Sequence, residues 1–325
     1  MRPSEVVVPK RFDGLTRDVR GYPVIATVPQ DAEGINFGRI GEDRKLAIAT
    51  YDLCGVCARP FRDELRWLVT GNRDWESFGA SAIDSTEAPV HEVCALYAAQ
   101  VCPFVSSPFA RLGDDHRRGQ RRPDVLALIG FERVVEVKAA ASELQPGKRV
   151  LEFTVAGAAR AHVLENAEDA RTAYARCLTE EPELVLDEHE QRVFDLLAAK
   201  TKEGEDSGGV VAGGALMIGA AFCPGVEQVV GLGRFFKGDS PYRAIATGLL
   251  REPDKLADFG ESVDSATAAA SRWFASRSEL PVALGKWIAD ERSRLQVLRR
   301  SLRVKERAKE AKRRAAKAAK RKKRR

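Results

Sequence analysis

The sequence predicts an α+β fold, in which a small β-sheet and a cysteine-containing unit come first and a mostly helical C-terminal half ends in a long basic helix. Short runs rich in β-branched and aromatic residues, bounded by Gly and Pro, occur between residues 20 and 160, as expected for strands. Helical periodicity of apolar residues begins near residue 165. Residues 305–325 consist only of Ala, Lys, Arg and Glu, which are strong helix formers.

Length and composition are those of an ordinary globular protein. The chain has 325 residues, of which 44% are hydrophobic and 31% charged, enough for one large or two modest domains. The first residues lack the apolar run of a signal peptide. We therefore expect a cytoplasmic, reducing location, where clustered cysteines bind metal more often than they form disulfides. The apolar segment 210–222 is shorter than the roughly 20 residues of a membrane span, so no membrane partner is expected.

Two short motifs carry metal-ligand residue types. Cys54 and Cys57 form a CxxC pair, which lets two thiolates approach one ion from a tight turn, and His91 and Cys94 share one face of a helix. Thiolates and imidazoles are the ligands of tetrahedral zinc, so the four residues predict a structural Zn²⁺ site in a treble-clef-like unit. Cys102 is too far along the helix for the same ion and is expected in the core. The alternative is that all are buried structural residues without metal.

Periodicity and chain-breaking residues place the other elements. Strands are predicted at 22–28, 35–38, 44–50, 65–70, 125–137 and 149–155, with a hairpin between the two ligand pairs. Helices are predicted from Pro89 to Pro103, at 165–178 and at 189–202, and the run EGEDSGG at 203–209 is predicted to be a linker. The predicted organisation is a zinc-binding unit (1–110), a β-hairpin plus helices (111–202), a mostly helical domain (210–304) and a basic tail (305–325).

The predicted C-terminal helix begins at Pro281 and carries a heptad pattern. Leu284, Ile288, Glu291, Leu295, Leu298 and Leu302 recur at alternating spacings of three and four, with Glu291 as the polar interruption. This pattern is compatible with self-association through Leu284–Leu302 and equally with an amphipathic helix that faces its own core.

Charge is concentrated in the tail. Residues 305–325 carry 13 Lys or Arg and 2 Glu, a net charge of +11, whereas the whole chain carries +6, so the remainder is at −5. A cationic segment of this kind binds nucleic acid without sequence preference by releasing counterions, and it resembles the tails of nucleoid-associated and linker-histone-like proteins. A solvated helix end or an acidic partner would explain it too. The predicted phosphate contacts, with DNA as the expected partner, are Arg117, Arg118, Arg121, Arg122, Lys312, Arg313, Arg314, Lys317, Lys320 and Arg321.

One pattern favours an enzyme instead. The run from Pro123 to Lys138 matches the PD…ExK signature of restriction-like nucleases, in which an Asp and a Glu on adjacent strands hold Mg²⁺ and the Lys activates water. Asp124, Glu136 and Lys138 would fill these roles. The alternative is an Asp in a turn and a solvated Glu136–Lys138 ion pair, which contributes little to stability.

The cysteine pattern also carries a resemblance. Leu53–Cys57, Pro89–Cys94, Tyr97, Ala99 and Cys102–Phe104 fit LCxVC…PxHxxCxxYxAxxCPF, and the chain over roughly residues 20–180 resembles an uncharacterised family of actinobacterial and phage proteins. The resemblance implies no activity. The leading prediction is therefore a zinc-containing nucleic-acid-binding protein, with a metal-dependent nuclease and a zinc-scaffolded protein–protein adaptor as alternatives.

Overall fold

The fold is mixed α+β, as predicted. The computed structural model describes residues 5–31, 34–70, 82–102, 126–142, 145–198, 223–232 and 272–322. The chain divides into two compact units, Met1–Ala283 and Leu284–Arg325. Across the described ranges, no helix has both the length and the apolar character that a membrane crossing needs.

An antiparallel sheet of four strands forms the centre of the first unit. The strands are β3 (Arg66–Thr70), β4 (Ile83–Ser85), β5 (Leu126–Ala141) and β6 (Arg149–Leu164), in the order β3-β5-β6-β4. The two long strands pair from Leu126 opposite Leu164 to Ala141 opposite Arg149, so they extend beyond the predicted strands at 125–137 and 149–155. A separate two-stranded sheet consists of β1 (Gln30–Asp31) and β2 (Gly34–Ile35).

The hairpin expected between the two ligand pairs is not formed in the described residues. Instead of pairing with each other, β3 pairs with β5 and β4 pairs with β6, which places them at opposite edges of the sheet. The prediction was wrong because it used only local pairing. The long β5–β6 hairpin leaves one free edge on each side, and each edge takes up one of the short strands.

The predicted strand at 44–50 is helical. Helix α1 spans Glu42–Tyr51, and its acidic first turn, Glu42 and Asp43, suits a helix N-terminus. A short apolar run such as Leu46–Ile48 is compatible with either structure by periodicity alone. Lys45 is buried and donates from Nζ to Glu42 at 3.0 Å and to the Leu151 carbonyl at 2.7 Å, so tertiary contacts favour the helix.

Two other strand predictions near the N-terminus also need correction. Residues 22–28 form turns with one isolated bridge at Pro23 rather than a strand. The predicted strand at 35–38 is reduced to Gly34–Ile35. Alternate residues Val24, Ala26 and Val28 are nevertheless buried, which explains the strand-like pattern.

The predicted helices are confirmed. They are α2 (Glu92–Val101), α3 (Ala167–Thr179), α4 (Glu188–Ala198) and α5 (Val282–Lys322). A capping box between Asn166 and Asp169 starts α3. The predicted linker 203–209, the apolar segment 210–222 and the basic loop 111–122 lie outside the described residues. Self-association through Leu284–Leu302 stays a prediction; Leu298 and Leu302 are 45% and 57% exposed on α5.

Candidate metal centre

The first two candidate ligands lie in a tight turn directly after α1. Asp52 and Ala58 both have left-handed backbone conformations, with φ of 52° and 57°. Between them, the Ala58 amide donates to the Cys54 carbonyl at 3.0 Å, and the Cys54 amide donates to the Arg59 carbonyl at 2.9 Å. The turn therefore presents the Cys54 and Cys57 side chains together, as a CxxC knuckle does.

The other two ligands lie at the N-terminus of α2. His91 is the N-cap residue, with extended backbone, and Cys94 follows within the first turn. Val90 exchanges two backbone hydrogen bonds with Trp67 of β3, at 2.8 and 2.9 Å, which fixes the approach to the helix. Gly55 of the knuckle packs closely against the segment that leads into α2. A Cβ at this position would lie 2.9 Å from the Ala88 Cβ.

The four ligand atoms converge. The three Sγ atoms and one imidazole nitrogen lie within 4.8 Å of one another, and Cys57 Sγ is 3.3 Å from His91 Nδ1. A zinc tetrahedron with bonds of about 2.0–2.3 Å has edges of about 3.6–3.8 Å, so these spacings fit one ion. All four residues are 0% exposed. The cluster, Cys54, Cys57, His91 and Cys94, can therefore hold a metal ion, and its residues are buried.

The hydrogen bond on the far side of the His91 ring determines its tautomer. Nε2 lies 3.2 Å from the Pro60 carbonyl oxygen, which can only accept, so Nε2 carries the proton. The Nδ1 lone pair consequently faces the three sulfurs. Orientation of a ligand imidazole by an outer hydrogen bond is usual at metal sites. Glu64 Oε1, 3.8 Å from Nε2, adds a negative charge on the same side.

A buried arginine links this outer layer to the rest of the fold. Arg11 pairs with Glu64 at 3.2 Å and with Glu181 at 2.9 Å, and its side chain is 2% exposed. Sequence reasoning missed Pro60, Glu64 and Arg11, because their roles depend on contacts between distant parts of the chain. No short motif marks them.

Burial and mutual contacts shift the pKa values of all four residues of the cluster. Burial opposes ionisation of Cys54, but hydrogen bonds with Cys57 and Cys94 and the nearby His91 lower the pKa of this thiol well below its usual value. Burial raises the pKa values of Cys57 and Cys94. Burial also opposes charge on His91, yet Cys57 and Cys54 raise its pKa to about 10. A bound metal ion would instead favour three thiolates and a neutral imidazole.

The remaining cysteines lie outside the cluster. Cys102 is the C-cap residue of α2. It is half-buried, whereas a core position was predicted. Cys177 is half-buried and Cys223 is buried. None of the three belongs to the metal-binding group of the described residues.

The predicted nucleic-acid contacts are only partly described. Lys312, Arg313 and Arg314 are exposed on α5. Lys317, Lys320 and Arg321 belong to the same helix, which continues to Lys322. The other four predicted contacts, Arg117, Arg118, Arg121 and Arg122, lie outside the described residues.

The nuclease pattern has a different setting from the one it requires. Asp124 lies outside the described residues. From Leu126 to Glu136 the chain is one strand of β5, about 33 Å at 3.3 Å per residue. No turn therefore occurs between Leu126 and Glu136, and a turn is what would bring a preceding Asp onto the strand next to Glu136.

Lys138 instead belongs to an exposed ion-pair network across three strands. Its Nζ lies 2.9 Å from Asp84, 3.4 Å from Glu152 and 3.8 Å from Glu136. Asp84 also accepts a 2.5 Å hydrogen bond from Thr154. The network matches the predicted alternative of a solvated ion pair, enlarged by two carboxylates that only the cross-strand register brings near.

Comparison of the chain with protein-family models, with curated proteins and with solved structures finds no match. The resemblance to actinobacterial and phage proteins therefore stays a prediction, and the functional argument depends on the site and the surface.

Proposed function

We propose that this is a zinc-stabilised protein that binds nucleic acid without sequence preference, through the basic part of helix α5. The Cys54–Cys57–His91–Cys94 cluster would hold the zinc. The observation that carries the binding proposal is the set of exposed cations on α5 that make no ion pair with any described residue.

The ligand chemistry supports zinc in a structural role. Three sulfurs and one imidazole nitrogen are the donor set of many structural zinc sites. Four protein ligands complete a tetrahedron, and catalytic zinc needs an open position for water or substrate. Since every ligand here is 0% exposed, the cluster suits a stabilising ion.

The cations of α5 support an anionic partner. Between residues 299 and 314, Arg314 pairs with Glu310 at 2.7 Å. The other basic side chains in this part of the described helix make no ion pair and are exposed: Arg299, Arg300, Arg303, Lys305, Arg307, Lys309, Lys312 and Arg313. Like charges at this density repel one another, and a polyanion would relieve the repulsion while releasing its own counterions.

The dimensions of the helix suit a duplex. From residue 299 to 322, α5 extends over about 36 Å at 1.5 Å per residue. One turn of B-form DNA has about the same length. No sequence-reading motif accompanies the cations, so contacts to phosphates, which are the same at every base pair, are the expected mode.

The decisive experiment is the salt dependence of binding to a mixed-sequence DNA duplex. With about six phosphate contacts, affinity should fall about a thousandfold between 50 and 200 mM salt. Changing Lys309, Lys312, Arg313 and Arg314 to Gln keeps helix propensity but should reduce the log–log salt slope by about two to four. The matched control exchanges Lys and Arg at the same positions and should keep the slope.

Equal affinity and slope in the Gln variant would contradict the assignment of binding to α5. Binding that does not change with salt would contradict the electrostatic mechanism itself. Zinc content of both variants should equal that of the parent, because the substitutions lie outside the cluster.

A further inference from the structure

A cavity of about 690 Å³ lies against the outer face of α2, within the first unit. Its walls come mainly from the segment 18–25, the loop at 35–38 and one side of α2 from Cys94 to Cys102, and Phe12 and Val56 complete the lining. Pockets for small molecules have volumes of about 300–1,000 Å³ and are lined mainly by apolar and aromatic side chains. By size and lining, this cavity belongs to that class.

Aromatic rings face the cavity from two sides. On one side, Tyr22 and Phe37 meet edge to face with ring centroids 6.3 Å apart. On the other, Phe12 and Tyr97 meet edge to face at 5.1 Å. Rings in such positions favour a planar apolar occupant, which gains stacked or edge contacts with each of them.

The rim has no net charge. The Arg20 guanidinium lies 5.2 Å from the Tyr22 ring centroid and 5.7 Å from that of Phe37. Its Nε donates to Asp18 at 2.8 Å, so the one cation and the one carboxylate of the lining neutralise each other. Each charge already has its partner, so desolvation of an ionised ligand would not be compensated and an uncharged molecule is favoured.

One polar group of the lining has no partner. The Tyr97 hydroxyl is buried, with the residue 3% exposed, and it makes no hydrogen bond within the described chain. Buried hydroxyls without a partner are uncommon, and each one calls for an explanation. Because the hydroxyl oxygen has almost no accessible surface, a ligand atom would supply the missing partner after a small rotation of the Tyr97 ring.

We propose that this cavity is a binding site for an uncharged planar aromatic molecule, which packs between the Tyr22–Phe37 and Phe12–Tyr97 pairs and forms a hydrogen bond with the Tyr97 hydroxyl. The site adjoins the metal cluster, because Cys94 is part of its lining, and no residue of α5 belongs to that lining. It does not depend on the proposed nucleic-acid binding.

The test uses the full chain and Nile red, an uncharged planar dye with a carbonyl acceptor whose fluorescence rises in apolar sites. One dye should bind per chain. Ala98→Phe fills the cavity and should weaken binding at least tenfold. Phe37→Ala removes one wall and should weaken dye binding several-fold. If Ala98→Phe does not fold, this variant alone tests the location of the site. Val185→Ala, at an exposed position outside the lining, is the control and should bind as the parent does.

Two further comparisons test the chemistry. Tyr97→Phe removes only the hydroxyl and should weaken dye binding about threefold to tenfold, the effect of one hydrogen bond. The same variant should not lower the melting temperature of the free protein, because the hydroxyl has no partner there. Indole should displace the dye at lower concentration than indole-3-carboxylate, which adds a negative charge to the same ring.

Unchanged dye binding in folded Ala98→Phe and in Phe37→Ala would overturn the assignment of the site. Unchanged binding in Tyr97→Phe, or a lower melting temperature of that variant, would overturn the role of the hydroxyl. Stronger competition by the carboxylate than by indole would overturn the proposed ligand class.

Discussion

Replacing Cys94 by Ser should remove zinc from the cluster and destabilise the first unit. Structural zinc contributes about 10–16 kcal/mol of binding free energy in zinc-finger peptides, or about 2.5–4 kcal/mol for each of four ligands. A loss of about 3 kcal/mol corresponds to a fall in melting temperature of about 4–5 °C in a chain of 325 residues.

The measurements are zinc content of the freshly purified protein and thermal unfolding followed by circular dichroism. The parent should contain one zinc per chain, and the Cys94→Ser protein much less. Cys102→Ser is the matched control, because it changes a half-buried cysteine at the other end of the same helix, outside the cluster. The control should keep its zinc. Full zinc content and an unchanged melting temperature in Cys94→Ser, or a parent protein without zinc, would refute the reasoning.

Three smaller predictions concern packing and charge. Gly130→Ala should destabilise the protein by about 1–3 kcal/mol in urea unfolding, because the new Cβ would lie 2.8 Å from the Trp67 ring. Gly285→Ala should stabilise α5 by about 0.5–1 kcal/mol, seen as higher helix content on heating, since nothing lies within 4 Å of the added Cβ. Partial burial opposes the charge of Asp187, but backbone amides and Arg277 hold its pKa below the usual value. The stability that Asp187 adds relative to Asp187→Asn should therefore be present above about pH 4 and be lost as pH falls further, as melting curves of both proteins would show.

The metal ligands could be predicted because their geometry is local. Two cysteines three apart in a turn, and a His and a Cys three apart at a helix start, point the same way whatever surrounds them. What orients His91 could not be predicted, because Pro60 and Glu64 reach it only after the chain has folded back. The same limit explains the error at Glu42–Tyr51, where a buried Lys45 that bonds to β6 selects a helix from an ambiguous apolar run.

The sheet shows a related limit. The residues of β3 and β5 were identified as strands from composition, but their partners were not, since pairing depends on which edges remain free. The nuclease hypothesis depends on such a pairing, with Asp124 and Glu136 on adjacent strands. β5 continues from Leu126 to Ala141 with two register shifts, and Asp124 lies outside the described residues, so the nuclease site stays a prediction.

A closed cluster of four buried ligands can affect function only mechanically. It joins the knuckle after α1 to the first turn of α2, and the packing of α2 against α3 and β3 extends this constraint through the core. Tyr97 and Ala98, which face the aromatic cavity, follow Cys94 within about one turn of the same helix. A metal ion that fixes Cys94 therefore also fixes the cavity wall. Under the two proposals made above, contacts with other molecules are made outside the cluster, in the cavity beside α2 and along the cations of α5.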